Sequence, residues 1–125
     1  MHIRVYYEDT DCGNVVYYAN YLKYMERSRT EYLRERGVDL SAYHANDRLF
    51  TVVEANVKYK APARYNDLLS AESSIKEITP TTILFTTEIK NEQGTLLVIG
   101  DVRVACITTA GRPTRVPKEI VEVLK

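Results

Sequence analysis

Residues 20–36 read Asn20-Tyr21-Leu22-Lys23-Tyr24-Met25-Glu26-Arg27-Ser28-Arg29-Thr30-Glu31-Tyr32-Leu33-Arg34-Glu35-Arg36, and Gly37 follows. Tyr21, Leu22, Met25, Arg29, Tyr32 and Leu33 recur at helical spacing. Asn20 has the short polar side chain that caps a helix start, and Gly37 is a natural stop. Arg27 and Glu31 stand at i, i+4, and Glu26 and Arg29 at i, i+3, where side chains can pair. The stretch predicts one helix of about 16 residues, roughly 24 Å long. Its apolar positions cover a wide arc, as in a helix enclosed by other structure.

Outward from this helix the period changes. Residues 3–7 alternate and are β-rich, so they predict a strand. Residues 8–19 form a polar, glycine-containing loop that turns apolar at Val15-Val16-Tyr17-Tyr18. Beyond the helix, residues 38–48 make a polar connection with room for one helical turn. Residues 49–61 then alternate, with Thr51, Val53, Ala55, Val57 and Tyr59 on one face. Further runs at 68–78, 82–90 and 95–109 are separated by turns at Asn66-Asp67, Thr79-Pro80-Thr81 and Asn91-Glu92-Gln93-Gly94. In the third of these four runs Ile83, Phe85, Thr87 and Ile89 share a face. Gly111 and Pro113 end the last, and 117–124 predict a short final helix. The order is strand, long helix and four antiparallel runs. It predicts an α+β fold in which a five-stranded antiparallel meander wraps around one long central helix. Such a sheet has edges to cover, and edge-to-edge pairing of two copies is the simplest cover.

Length and composition narrow the classes. The 125 residues make one domain, 1–125, and 45% hydrophobic with 27% charged residues excludes a disordered chain. Seventeen basic residues balance 17 acidic ones, so nothing favours nucleic acid or an anionic membrane as partner. No apolar run approaches the ~18–20 residues of a membrane span. With no signal-peptide core at the N-terminus, a cytoplasmic protein is expected. Cys12 and Cys106 read as thiols of a reducing compartment, and with His2 and His44 they show no metal-ligand spacing. Phosphate-loop, dinucleotide and serine-hydrolase motifs are absent. Asp9-x-Asp11-x-Gly13 resembles the start of a calcium loop, but Asn14 and Asn20 stand where an EF-hand needs Gly and Glu.

What remains distinctive is Tyr7-Glu8-Asp9-Thr10-Asp11-Cys12-Gly13, a carboxylate-rich loop just before a helix start. Unpaired N–H groups there can polarise a carbonyl, and a nearby carboxylate can attack it or activate water. Acyl transfer is one reading. Solvation and capping by Asp9 and Asp11 is the other.

Residues 4–34, with Tyr-x-Asp-Thr-Asp-x-x-Gly-x-Val-Tyr running into Asn-Tyr and Glu-x-x-Arg, resemble the hotdog-fold acyl-CoA thioesterases. Lys58-Tyr59-Lys60-Ala61-Pro62-Ala63-Arg64-Tyr65-Asn66-Asp67 is also similar to their strand–turn region. The resemblance is to the 4-hydroxybenzoyl-CoA thioesterase family, in its bacterial Tol-Pal-associated branch. It implies a hotdog fold and hydrolysis of an acyl-CoA, without metal or other cofactor. Acyl carrier protein is a second candidate donor. It also implies a homodimer or homotetramer whose site lies between subunits. Asp11 would be the catalytic carboxylate, as base or nucleophile, with Tyr7 beside it. The backbone N–H of Tyr18 would polarise the thioester. Gly13, Val16, Lys58, Tyr59, Lys60 and Arg64 would contact substrate. Many members of the branch have His where this chain has Tyr18, which puts any imidazole role in doubt.

Other residues admit two readings. Lys58, Lys60 and Arg64 could meet coenzyme A phosphates or form a solvated strand face, and Arg112, Arg115 and Lys118 share the ambiguity. Glu26 could replace the loop carboxylate, as in some hotdog enzymes, or pair with Arg29. Cys12 has no basic partner nearby in sequence and reads as a loop residue. A non-catalytic acyl-CoA or acyl-carrier-protein binding module, and a dehydratase lacking its expected histidine, are the competing functions.

Overall fold

The period-two runs form one antiparallel sheet, and the long helix lies across it. The computed structural model describes residues 1–125. Strand β1 spans His2–Arg4, helix α1 Asn20–Glu35, strand β2 Leu49–Tyr59, β3 Leu68–Ile78, β4 Thr82–Lys90, β5 Leu96–Ile107 and helix α2 Lys118–Leu124. Short 3-10 segments cover Tyr7–Asp9 and Leu40–Asn46. The first strand is thus shorter than expected, because the chain coils at Tyr7 instead of staying extended.

The strand order is β1-β3-β4-β5-β2, all neighbours antiparallel. This corrects the expected meander. Only β3, β4 and β5 follow one another across the sheet, while β2 pairs with β5 at the far edge. The link from β2 to β3, residues 60–67, must therefore cross from one side of the sheet to the other.

β4 behaves as its alternation predicts, with Ile83, Phe85, Thr87 and Ile89 all buried beneath α1. Each large apolar side chain buried there contributes on the order of 1.5–3 kcal/mol. β2 does not. A bulge between Val52 and Glu54 shifts its register against β5, and an extra residue moves the following side chains to the other face. Phe50 and Val52 pair with Cys106 and Val104 on the helix side, with Ala55, Val57 and Tyr59 beyond the bulge. Thr51 and Val53 leave the expected face.

α1 buries Tyr21, Tyr24, Met25, Ser28 and Leu33 against the sheet, mainly β3 and β4. Leu22 is exposed, so the helix is covered on one side rather than enclosed within this chain. At the centre Met25 sits on Gly100 of β5, where an added Cβ would meet the methionine Sδ and Cε at 2.6 Å. Beside it Ser28 Oγ donates to Ala71 O at 3.1 Å and shares a bond of 2.7 Å with Ser73 Oγ. These polar groups are paired, as burial requires. No helix is long and apolar enough to cross a membrane.

Candidate active site

The loop before α1 is a small hairpin built from main-chain hydrogen bonds. Asp11 N–H donates to Val15 O at 2.9 Å, Tyr17 N–H to Asp9 O at 2.9 Å, and Thr10 bridges Val16. At its tip Gly13 N–H donates to Asp11 Oδ1 at 2.8 Å. A Cβ on Gly13 would stand 3.3 Å from that same oxygen, so glycine leaves room for the carboxylate. Asn14 takes a positive φ of 62°, a conformation asparagine tolerates. The result is a solvent-exposed Asp11 carboxylate aimed by one backbone donor.

The start of α1 follows directly. Asn20 does not cap it as expected. Ala19 occupies that position without a side-chain bond, and the Asn20 Nδ2 reaches back to Asp9 O at 2.9 Å, tying the helix to the hairpin. The N–H groups of Asn20, Tyr21 and Leu22 turn back onto Tyr17, Tyr18 and Ala19 carbonyls. The N–H groups of Tyr18 and Ala19 donate to nothing in the chain. They are the free donors of this helix end, which carries partial positive charge.

The crossing link supplies the third wall. Val16 N–H donates to Ala63 O at 2.9 Å, Val15 bridges Arg64, and Ala63 N–H donates to the buried Tyr21 hydroxyl at 3.1 Å. Lys60 and Ala61 N–H groups both donate to Leu97 O. The Tyr59 hydroxyl donates to Tyr18 O at 3.3 Å. Val16, Tyr18, Tyr21, Tyr59, Lys60, Ala61 and Pro62 line a groove of about 300 Å³. Its tyrosines pack edge to face or tilted, Tyr18 against Tyr59 with ring centres at 6.2 Å and Tyr21 against Tyr59 at 5.7 Å. Burial raises the pKa of Tyr21 and Tyr59, so both hydroxyls stay neutral hydrogen-bonding groups at ordinary pH.

The structure gathers most of the residues singled out from the sequence. Asp11 and Gly13 form the hairpin tip, and Val16, Tyr18, Tyr59 and Lys60 line the groove. Tyr7 stacks edge to face on Tyr65 at 5.8 Å, next to Arg64 on the link. Lys58 is not brought in. It faces the opposite side of the sheet with Lys76 and Asp101, because adjacent strand residues point to opposite faces. Glu26 and Arg29 form no ion pair, and Glu26 accepts from Thr30 Oγ1 at 3.1 Å instead. Glu31 is held by Arg34 rather than Arg27. Both cysteines are free thiols, Cys12 exposed and Cys106 buried. Ala63 carries no signal in the sequence as a site-builder, since its role arises only once the link crosses the sheet.

This fold, with a carboxylate hairpin feeding a helix start, belongs to a known class. A family model described as the thioesterase superfamily matches residues 13–98, and the chain belongs to that family. It is thereby a thioester hydrolase. Among its relatives, the acyl-CoA thioester hydrolase YbgC of Escherichia coli is 41% identical over 124 residues, covering 98% of this chain and 92% of that protein. The acyl-CoA thioesterase YbgC of Haemophilus influenzae is 40% identical over 121 residues, with coverages of 94% and 88%. A Thermus thermophilus hypothetical protein, TT1821, superposes with a TM-score of 0.92 at 30% identity, over 99% of this chain and 95% of that one. The hotdog architecture is thus the fold of this chain.

Proposed function

We propose that this protein hydrolyses an acyl-CoA thioester to the free acid and coenzyme A, with Asp11 as the catalytic carboxylate. The observation that carries the reading is one juxtaposition. The hairpin that aims Asp11 ends in the unpartnered N–H groups of Tyr18 and Ala19. A thioester carbonyl accepting from those donors would be polarised, and the tetrahedral oxyanion would gain more from them than the ground state does. Asp11 then attacks the carbonyl carbon to form an anhydride that water opens, or takes a proton from attacking water. On either route the C–S bond breaks and coenzyme A leaves as a thiolate that picks up a proton. The relatives named acyl-CoA thioesterases support the substrate class. Tyr18 contributes through its backbone, its ring being occupied against Tyr17 and Tyr59. The branch's frequent histidine is therefore dispensable to this scheme.

The working unit in this reading is a homodimer in the cytoplasm, with acyl carrier protein as the other candidate donor. Edge strand β2 is 11 residues long and mostly exposed, Val52 and Val53 included. Antiparallel pairing of two β2 edges would satisfy their free backbone groups. The free thiols fit a reducing compartment.

The test is thiol release over an acyl-CoA panel, wild type beside Asp11→Asn. The expected result is release by the wild type that the variant loses. Undiminished turnover in Asp11→Asn removes Asp11 from the mechanism. Binding without release from any substrate makes the chain a binding module.

A further inference from the structure

A second hollow lies along the C-terminal half of α1, far along the helix from Asp11. It is a cavity of about 760 Å³ between α1, the 3-10 segment Leu40–Asn46 and the Leu49–Val52 end of β2. That volume is within the usual range for small-molecule sites. Leu33, Phe50, Phe85 and Val104 make its apolar wall. Its charged lining is unevenly satisfied. Asp39 accepts from Ser41 N–H at 3.0 Å and Oγ at 2.7 Å, and Glu26 from Thr30. Arg34 is bound to Glu31, and Arg48 donates to Asp47 O at 3.3 Å.

Arg29 differs from all of these. Half-buried in the cavity lining, it makes no ion pair and donates no hydrogen bond. Burial pushes its pKa down, and the nearby Glu26 offsets this only in part. A guanidinium withdrawn from water and left unpaired calls for an anion, and its fork suits a carboxylate. The surrounding apolar wall calls for a hydrocarbon body attached to that anion.

We infer that this cavity receives an acyl chain tipped with a carboxylate, its carboxylate on Arg29. The inference rests on the thioesterase reading for what carries the chain there. In an antiparallel β2 pair, the Leu49–Val52 end of one protomer lies beside the Tyr59 end of the other, where the partner's groove opens. An acyl group held at one protomer's groove would thus project toward the other's cavity. Apolar wall and cation together select an ω-carboxyacyl thioester over a plain one of equal length.

The experiment uses pairs of acyl-CoA substrates matched in chain length, one ending in methyl and one in carboxylate. Wild type should prefer the carboxylate member in kcat/KM. Arg29→Met should cut that preference ratio by about 10- to 100-fold, the scale of a charge-assisted hydrogen bond, mainly through KM. Arg29→Lys should restore part of it. Should Arg29→Met fail to fold, the wild-type ratio and Arg29→Lys decide the matter. Calorimetric titration with free suberic acid reads the cavity without turnover. Arg29-dependent binding with no thiol release from any substrate upholds the cavity and overturns the thioesterase reading. Release with no carboxylate preference, or a ratio unchanged by Arg29→Met, overturns the cavity and keeps the thioesterase. Dissociation of a wild-type dimer by Arg29→Met also overturns it, since Arg29 would then serve the interface.

Discussion

α1 meets the rest of the chain in two different ways. At its start the contacts are hydrogen bonds from a backbone hairpin and from the crossing link, around a small groove. Further along, the helix rests on the sheet mainly by packing, Met25 on Gly100, with Ser28 alone hydrogen-bonded to β3, and then overhangs a large hollow. Directional bonds hold atoms to fractions of an ångström, which a reacting carboxylate and its oxyanion donors require. Packing and open volume tolerate variety, which suits recognition of the part of a substrate that does not react. One helix thus carries a fixed end and a permissive end.

The largest effect expected in breaking this contrast is chemical. Asp11→Asn keeps the Oδ1 that accepts the Gly13 N–H, so the hairpin should stand. Thiol release should nevertheless fall by about 10²–10⁴, as for loss of a general base. A large drop in melting temperature alongside would mean that Asp11 serves structure instead. Next comes Tyr21→Phe, which strips the buried Ala63 N–H of its acceptor. Denaturant unfolding should show a loss of about 1–3 kcal/mol, the cost of an unpaired buried donor. Activity should fall with it, because the link walls the groove. At the packed end, Gly100→Ala forces Met25 aside. Overpacking there should cost only about 1 kcal/mol, at the low end of its range, since methionine is flexible. Equal losses from Tyr21→Phe and Gly100→Ala would erase the distinction between the two ends.

A control off the helix sharpens the comparison. Asp101, on the outer face of the sheet, has its pKa lowered chiefly by the hydrogen bond from Lys76 at 2.7 Å. A carboxylate with a depressed folded pKa adds stability above its unfolded value, about 3.9. That stability is lost as pH falls through the folded pKa. Asp101→Asn should therefore cost a little stability at neutral pH, and the difference from wild type should vanish as pH falls through the folded pKa of Asp101. The effect is the smallest of the set, because exposed ion pairs contribute little.

The contrast between local and long-range order also separates what is legible in the amino-acid sequence from what is not. α1 and the runs at 68–78 and 82–90 are legible because their side-chain periods match their elements. The loop carboxylate and the helix start stand adjacent in sequence, so the core of the site is legible too. The place of β2 is not. Its alternation is ordinary, and nothing local says which neighbour it pairs with or that a bulge resets its faces. From that one long-range fact comes the overlooked role of Ala63, whereas Lys58 is lost to the site by simple alternation with Tyr59. The Glu26–Arg29 pair fails for a related reason. Spacing on a helix permits a pair, but a free partner such as Thr30 can take the carboxylate first.

The hairpin that carries Asp11 has a consequence for how such a chain diversifies. Its shape is written almost wholly in main-chain bonds between residues 9–17 and 63–64. The side chain of Cys12 makes none of those bonds and is exposed to solvent, whereas the positive φ of Asn14 favours asparagine or glycine there. Descendants of this sequence can therefore exchange Cys12 at the mouth of the site and explore new substrates, while the reacting geometry is inherited through the backbone and the few side chains, Asp11, Gly13 and Asn20, that fix it.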